Sequence, residues 1–121
     1  MTQLILIRHG ETVWNTERRM QGHLDSPLTA RGLWQAEQLG ERMQSLPFTT
    51  LYSSDLPRAH RTAQHIAAVT SHAIVTDERL RERNFGMFEG LTQAEMQARE
   101  PQAYARFMSR DPQYAVPGGE S

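Results

Sequence analysis

Near the start of the chain four aliphatic residues, Leu4-Ile5-Leu6-Ile7, stand without interruption and give way at once to Arg8-His9-Gly10. A leucine and β-branched run of this kind suits a strand buried on both faces, as in a parallel sheet. It is too short for a membrane span or for the apolar part of a secretion signal, so the chain reads as soluble and cytoplasmic. With 121 residues and 38% hydrophobic content it has room for one domain with a core of its own.

Two strand–helix units stand in a row, the first strand opening the first of them, with a further strand behind. Thr29 can cap a helix over about 30–45, in which Leu33, Ala36, Leu39 and Met43 share one face before Pro47 stops it. Thr50-Leu51-Tyr52-Ser53 is a second short strand, after which Asp55 as N-cap and Pro57 in the first turn open a helix carrying Ala59, Ala63, Ile66 and Ala67. Ala73-Ile74-Val75-Thr76 is a third strand candidate. Residues 11–28 hold Asn15, Gly22, Asp25 and Pro27 without a sustained period and read as a long loop. The simplest solution is an α/β layer with right-handed crossovers. Residues 84–118 read as a lid-like insertion within a single domain 1–121, too poor in apolar positions for a core of its own, with a polar helix near 92–109 that Pro101 divides.

Composition removes several chemistries. The thirteen basic residues are all arginine and stand against fourteen acidic ones, so the net charge of −1 argues against a general surface for nucleic acid or anionic lipid. Without lysine there is no Schiff base and no Walker lysine, and without cysteine no disulfide, thiolate metal site or thiol nucleophile. His60 and His65 lie five apart rather than four and have no carboxylate at a ligand-like spacing, so they read as surface or packing residues and no metal is expected.

What remains gathers at the carboxyl ends of the strands, where ligands bind in open α/β sheets. Arg8-His9-Gly10 follows the first strand, Arg58 lies in the first helical turn after the second, and Glu82 comes soon after the third. Two guanidiniums beside a helix N-terminus match the oxygens of a phosphate ester. An imidazole held through one nitrogen can present the other to phosphorus, and Arg8 and Arg58 would spread the charge that develops on the equatorial oxygens. Glu82, close to a dianion and partly shielded from water, is expected to hold a proton for the leaving oxygen. Each residue alone has a plainer reading. His9 can be a hydrogen-bonded structural histidine, Arg58 a solvated partner of Asp55, and Glu82 a member of an exposed cluster with Arg79, Arg81 and Arg83.

The blocks together resemble the histidine phosphatase superfamily, which holds the cofactor-dependent phosphoglycerate mutases and their phosphatase relatives. The resemblance rests on Leu6-Ile7-Arg8-His9-Gly10-Glu11-Thr12 with Trp14-Asn15, then Gln21-Gly22, Asp25-Ser26-Pro27-Leu28-Thr29, Ser53-Ser54-Asp55-Leu56-Pro57-Arg58-Ala59, and Leu80-Arg81-Glu82 with Phe85-Gly86, in that order. It implies a three-layer α/β sandwich with a mainly parallel central sheet. It also implies His9 as the phosphorylated nucleophile, Glu82 as proton donor, and Arg8, Arg58 and Asn15 as ligands of the phosphoryl group. Gln21 and Gly22 would line the substrate pocket, the partner would be a small phosphorylated metabolite, and no cofactor or metal is called for. One departure stands out. The second histidine of the family, in a later His-Gly block, has no counterpart, and Pro117-Gly118-Gly119-Glu120-Ser121 resembles the approach to the helix before it. About the last third of a typical member is thus expected to be absent, which would leave an open sheet edge that a second copy of the chain could cover. Three readings follow: a phosphomonoesterase working through phosphohistidine, a phosphoglycerate mutase, or an impaired chain that binds phosphate without turnover. The short segment between Glu82 and Gly118 favours the first.

Overall fold

The computed structural model describes residues 1–121. Its regular centre is a parallel strand pair, β1 (Leu51–Ser53) and β2 (Ile74–Thr76), in register from Leu51 opposite Ile74 to Ser53 opposite Thr76. The connection between them is α3 (Pro57–Thr70), which packs on both strands through a face that buries Ala63 and Ile66. A second helix, α2 (Ala30–Gln44), lies along α3 and buries Ala36 and Met43, two of the positions its period predicts. Thr29 caps α2 as expected, its hydroxyl accepting from Gly32 N–H at 3.0 Å. The architecture is α/β. No helix is long and apolar enough to cross a membrane.

The start of α2 is pressed against the backbone after His9. A Cβ on Gly32 would collide with the Glu11 carbonyl, and one on Gly10 would collide with the Gly32 carbonyl. Replacing Gly32 by Ala should therefore cost about 1–3 kcal/mol through overpacking, although Ala favours a helix over Gly by about 1 kcal/mol. A lower urea midpoint for G32A is the expected result, and a raised one would show that this approach is not close.

Four expectations are corrected. Leu4–Ile7 does not join the sheet: it forms no strand and no backbone hydrogen bond, and Leu4 and Leu6 are exposed. A strand needs a partner edge about 4.8 Å away, whereas this segment and β1 line the same cavity of about 930 Å³. The loop 11–28 contains α1 (Val13–Glu17), five residues started by a capping box between Thr12 and Asn15. Asp55 does not cap α3, whose N-cap is Leu56; its carboxylate forms a two-pronged pair with Arg81 instead, both bonds 2.6 Å. Finally, residues 84–118 do build a core. Helices α4 (Gln93–Arg99) and α5 (Pro101–Met108), divided at Pro101 as predicted, and a 3₁₀ turn at Gly86–Phe88 surround buried Phe88, Met96 and Val116. Phe107 meets Phe85 and Phe88 edge-on, with Met20 reaching the cluster from before α2.

Candidate active site

Arg8 and His9 stand where two cavities meet. The larger is walled by the segment Leu4–His9 and by β1, and Arg58, Thr62 and Glu82 also face it. The smaller, about 370 Å³, is lined by Arg8, His9, Gly10, Glu11, Asn15 and Gln35. Arg8, His9, Arg58 and Glu82 thus share one space, with Asn15 beside Arg8 and His9 in the other.

His9 is half-buried, and its Nδ1 lies 2.6 Å from the Gly10 carbonyl oxygen. A carbonyl only accepts, so Nδ1 carries the proton and Nε2 keeps its lone pair. Burial lowers the pKa of the imidazole from the ordinary histidine value. The bond to Gly10 works against this, Arg58 and Arg8 lower it further, and Glu82 raises it. The ring is therefore neutral at pH 7. Since the unfolded chain would take up this proton near pH 6.5 and the folded chain resists it, the contribution of His9 to stability falls as the pH drops from that value toward the lower folded one. Imidazole ¹⁵N shifts across a pH titration should place His9 below a free histidine; a titration at or above the ordinary value would contradict this environment.

Arg58 is 2% exposed, and both of its terminal nitrogens are engaged. Nη1 donates to Leu24 O at 2.7 Å and Asp25 Oδ1 at 3.2 Å, while Nη2 donates to Gly22 O at 2.6 Å and Glu82 Oε2 at 3.2 Å. Asp25 Oδ1 also accepts the Arg58 backbone N–H at 3.1 Å, capping α3 from a distant loop. The guanidinium is thus aimed by the loop 22–25. Of its two carboxylate partners Glu82 is the more exposed, 47% against 23% for Asp25, and so the freer to yield to an anion. Glu82 does not join a cluster with Arg79, Arg81 and Arg83, and its ion pair is with Arg58 instead: Arg79 pairs with Asp77, Arg81 with Asp55, and Arg83 lies over the Phe85 and Phe107 rings.

The remaining predicted residues support the site from behind or from the side. Asn15 Oδ1 accepts Thr12 N–H at 2.9 Å, which leaves its amide N–H groups to meet an anion. Gln21 and Gly22 line neither cavity. Gln21 is buried and accepts from Thr12 and Ser26 hydroxyls, at 2.8 and 3.2 Å. Gly22 adopts φ +57°, a conformation that suits glycine and directs its carbonyl to Arg58. Two contributors escape a sequence reading. Asp25 looks like a turn residue, and Thr62 looks like a helix-surface position, yet both bind the residues that form the site.

A profile of the histidine phosphatase superfamily (branch 1) matches residues 4–121. The chain is 48% identical over 122 residues to "Probable phosphoglycerate mutase GpmB" of Salmonella choleraesuis, covering 100% of this chain and 56% of that protein. Among solved structures it is similar to a mycobacterial glucosyl-3-phosphoglycerate phosphatase, at 39% identity and TM-score 0.84 over 93% of this chain and 54% of that one. It is similar also to the α-ribazole phosphatase of Shigella flexneri, at 31% identity and TM-score 0.87 over 95% and 57%. The chain spans about half the length of the relatives it matches, less than the two thirds implied by the sequence motifs. The chain belongs to the histidine phosphatase superfamily.

Proposed function

We propose that the chain carries the phosphoryl-accepting half-site of a phosphomonoesterase acting on a small phosphorylated metabolite. The observation that supports this most directly is His9 itself: Nδ1 is held by the Gly10 carbonyl, Nε2 is free, and Arg8, Arg58 and Glu82 share its cavity. In the first step the phosphomonoester, entering as its monoanion, takes the place of Glu82 on Arg58 and passes its proton to the freed carboxylate. Nε2 then attacks phosphorus, the P–O bond to the alcohol breaks, and the leaving oxygen takes that proton from Glu82. Arg8, Arg58 and the Asn15 amide stabilise the equatorial oxygens. In the second step water, deprotonated by Glu82, attacks the phosphohistidine and releases inorganic phosphate.

A mutase reading has one specific observation in its favour, the name of the 48% identical relative. The two differ in who receives the phosphoryl group. With a phosphomonoester in ¹⁸O-labelled water, hydrolysis predicts labelled inorganic phosphate at a rate indifferent to a bisphosphoglycerate primer. Primer dependence with no labelled phosphate would mean mutase chemistry. Phosphate binding with turnover no faster than the enzyme-free control would mean that the chain binds only.

A further inference from the structure

We propose that the Thr62 hydroxyl is a positioning group for phosphoryl transfer, setting the separation between the turn that carries His9 and the helical turn that carries Arg58. The proposal rests on the reading of the site given above. Residues 1–9 make no backbone hydrogen bond; the single hydrogen bond that ties the first ten residues to the body of the protein runs from Gly10 N–H to Thr62 Oγ1, at 3.1 Å. The same hydroxyl donates to the Arg58 carbonyl at 2.8 Å. Thr62 is 3% exposed, so neither bond is shared with bulk water.

A threonine bonded back to the carbonyl four residues earlier is common in helices and by itself says little. What distinguishes Thr62 is the second bond, across 52 positions of sequence, to the amide directly after His9. A hydroxyl has one proton to give and lone pairs to offer, and here both capacities are used. Leu4–Ile7 is held by no strand ladder, and the bonds of Glu11 to Thr29 and Gln35 tie this turn to α2. The two-bond bridge is therefore the direct polar link between the turn carrying His9 and the helix carrying Arg58. Displacement of a nucleophile by about 1 Å can cost on the order of 10²-fold in rate.

The test compares Thr62→Val, which keeps the shape and removes both bonds, with Thr62→Ser, which keeps both bonds and removes a methyl. T62V should lower kcat on a phosphomonoester about 10- to 100-fold with a much smaller change in KM, and T62S should recover most of that loss. In T62V the His9 titration should also move back toward the ordinary histidine value, because the ring is no longer held buried among Arg8, Arg58 and Glu82. A merely structural threonine would lower the unfolding midpoint of T62V while leaving kcat and the His9 titration as in wild type, and that result would overturn the proposal, as would T62S behaving like T62V. If T62V does not fold, amide exchange decides: Gly10 N–H should be protected in wild type and T62S, and free exchange would overturn the bridge. A wild-type chain without turnover would sink the functional reading alone, since the His9 titrations and Gly10 exchange still read the bridge directly.

Discussion

Replacing Arg58 by Met should abolish phosphate binding and cost about 1–3 kcal/mol of stability, the range for leaving buried acceptors without a donor. The size follows from what the guanidinium satisfies. Without it the buried Gly22 carbonyl loses its donor, as do the Leu24 carbonyl and one oxygen of the half-buried Asp25 carboxylate. Arg58→Lys should rescue little. An ammonium offers three donors from one point and cannot span acceptors on Leu24, Asp25, Gly22 and Glu82 that require a planar fork. Calorimetric titration with inorganic phosphate and urea unfolding of the two variants check this. Wild-type phosphate affinity in R58K would show that the fork is dispensable.

The second large effect concerns Glu82. Glu82→Gln cannot hand over a proton, so kcat on alkyl phosphates, whose alkoxide leaving groups need one, should fall about 10²–10⁴-fold. On p-nitrophenyl phosphate, whose leaving group departs unprotonated, the loss in the first step should be far smaller. Phosphate binding should survive or tighten, because the exposed carboxylate that competes for Arg58 Nη2 becomes neutral. Equal losses on both substrate types would show that Glu82 is not the proton donor.

These expectations separate what the sequence carried openly from what it hid. Elements whose stabilising contacts are local were legible: α2 from its Thr29 cap and its period, α3 from Pro57 and its alanines, and the break between α4 and α5 from Pro101. Features that depend on a distant partner were not. Leu4–Ile7 reads as a strand, but its residues become one only against an edge, and β1 lies across a cavity from it. Asp55 has the chemistry of an N-cap, yet Arg81, 26 positions away, takes its carboxylate while Asp25 caps the helix from a loop 33 positions earlier. The core around Phe88 escaped notice because its members come from a 3₁₀ turn, two short helices, a coil at Val116 and Met20, and so follow no single period. Five-residue α1 is too short to show one at all.

The site divides along the same line. Arg8, His9, Arg58 and Glu82 could be singled out because each follows a segment that reads as a strand or opens a helix, and strand ends in an α/β layer converge. They do face one cavity. The groups that aim them could not be found that way. Asp25, Gly22 and Thr62 act through hydrogen bonds to Arg58 and Gly10 that span 33, 36 and 52 positions.

The most direct measurement is the fate of a labelled phosphoryl group. After mixing the protein with a ³²P-phosphomonoester and quenching, the adduct should be acid-labile and base-stable, should map to the peptide containing His9, and should sit on Nε2, the nitrogen not held by the Gly10 carbonyl. Label on any other residue, or on Nδ1 of His9, would contradict the account.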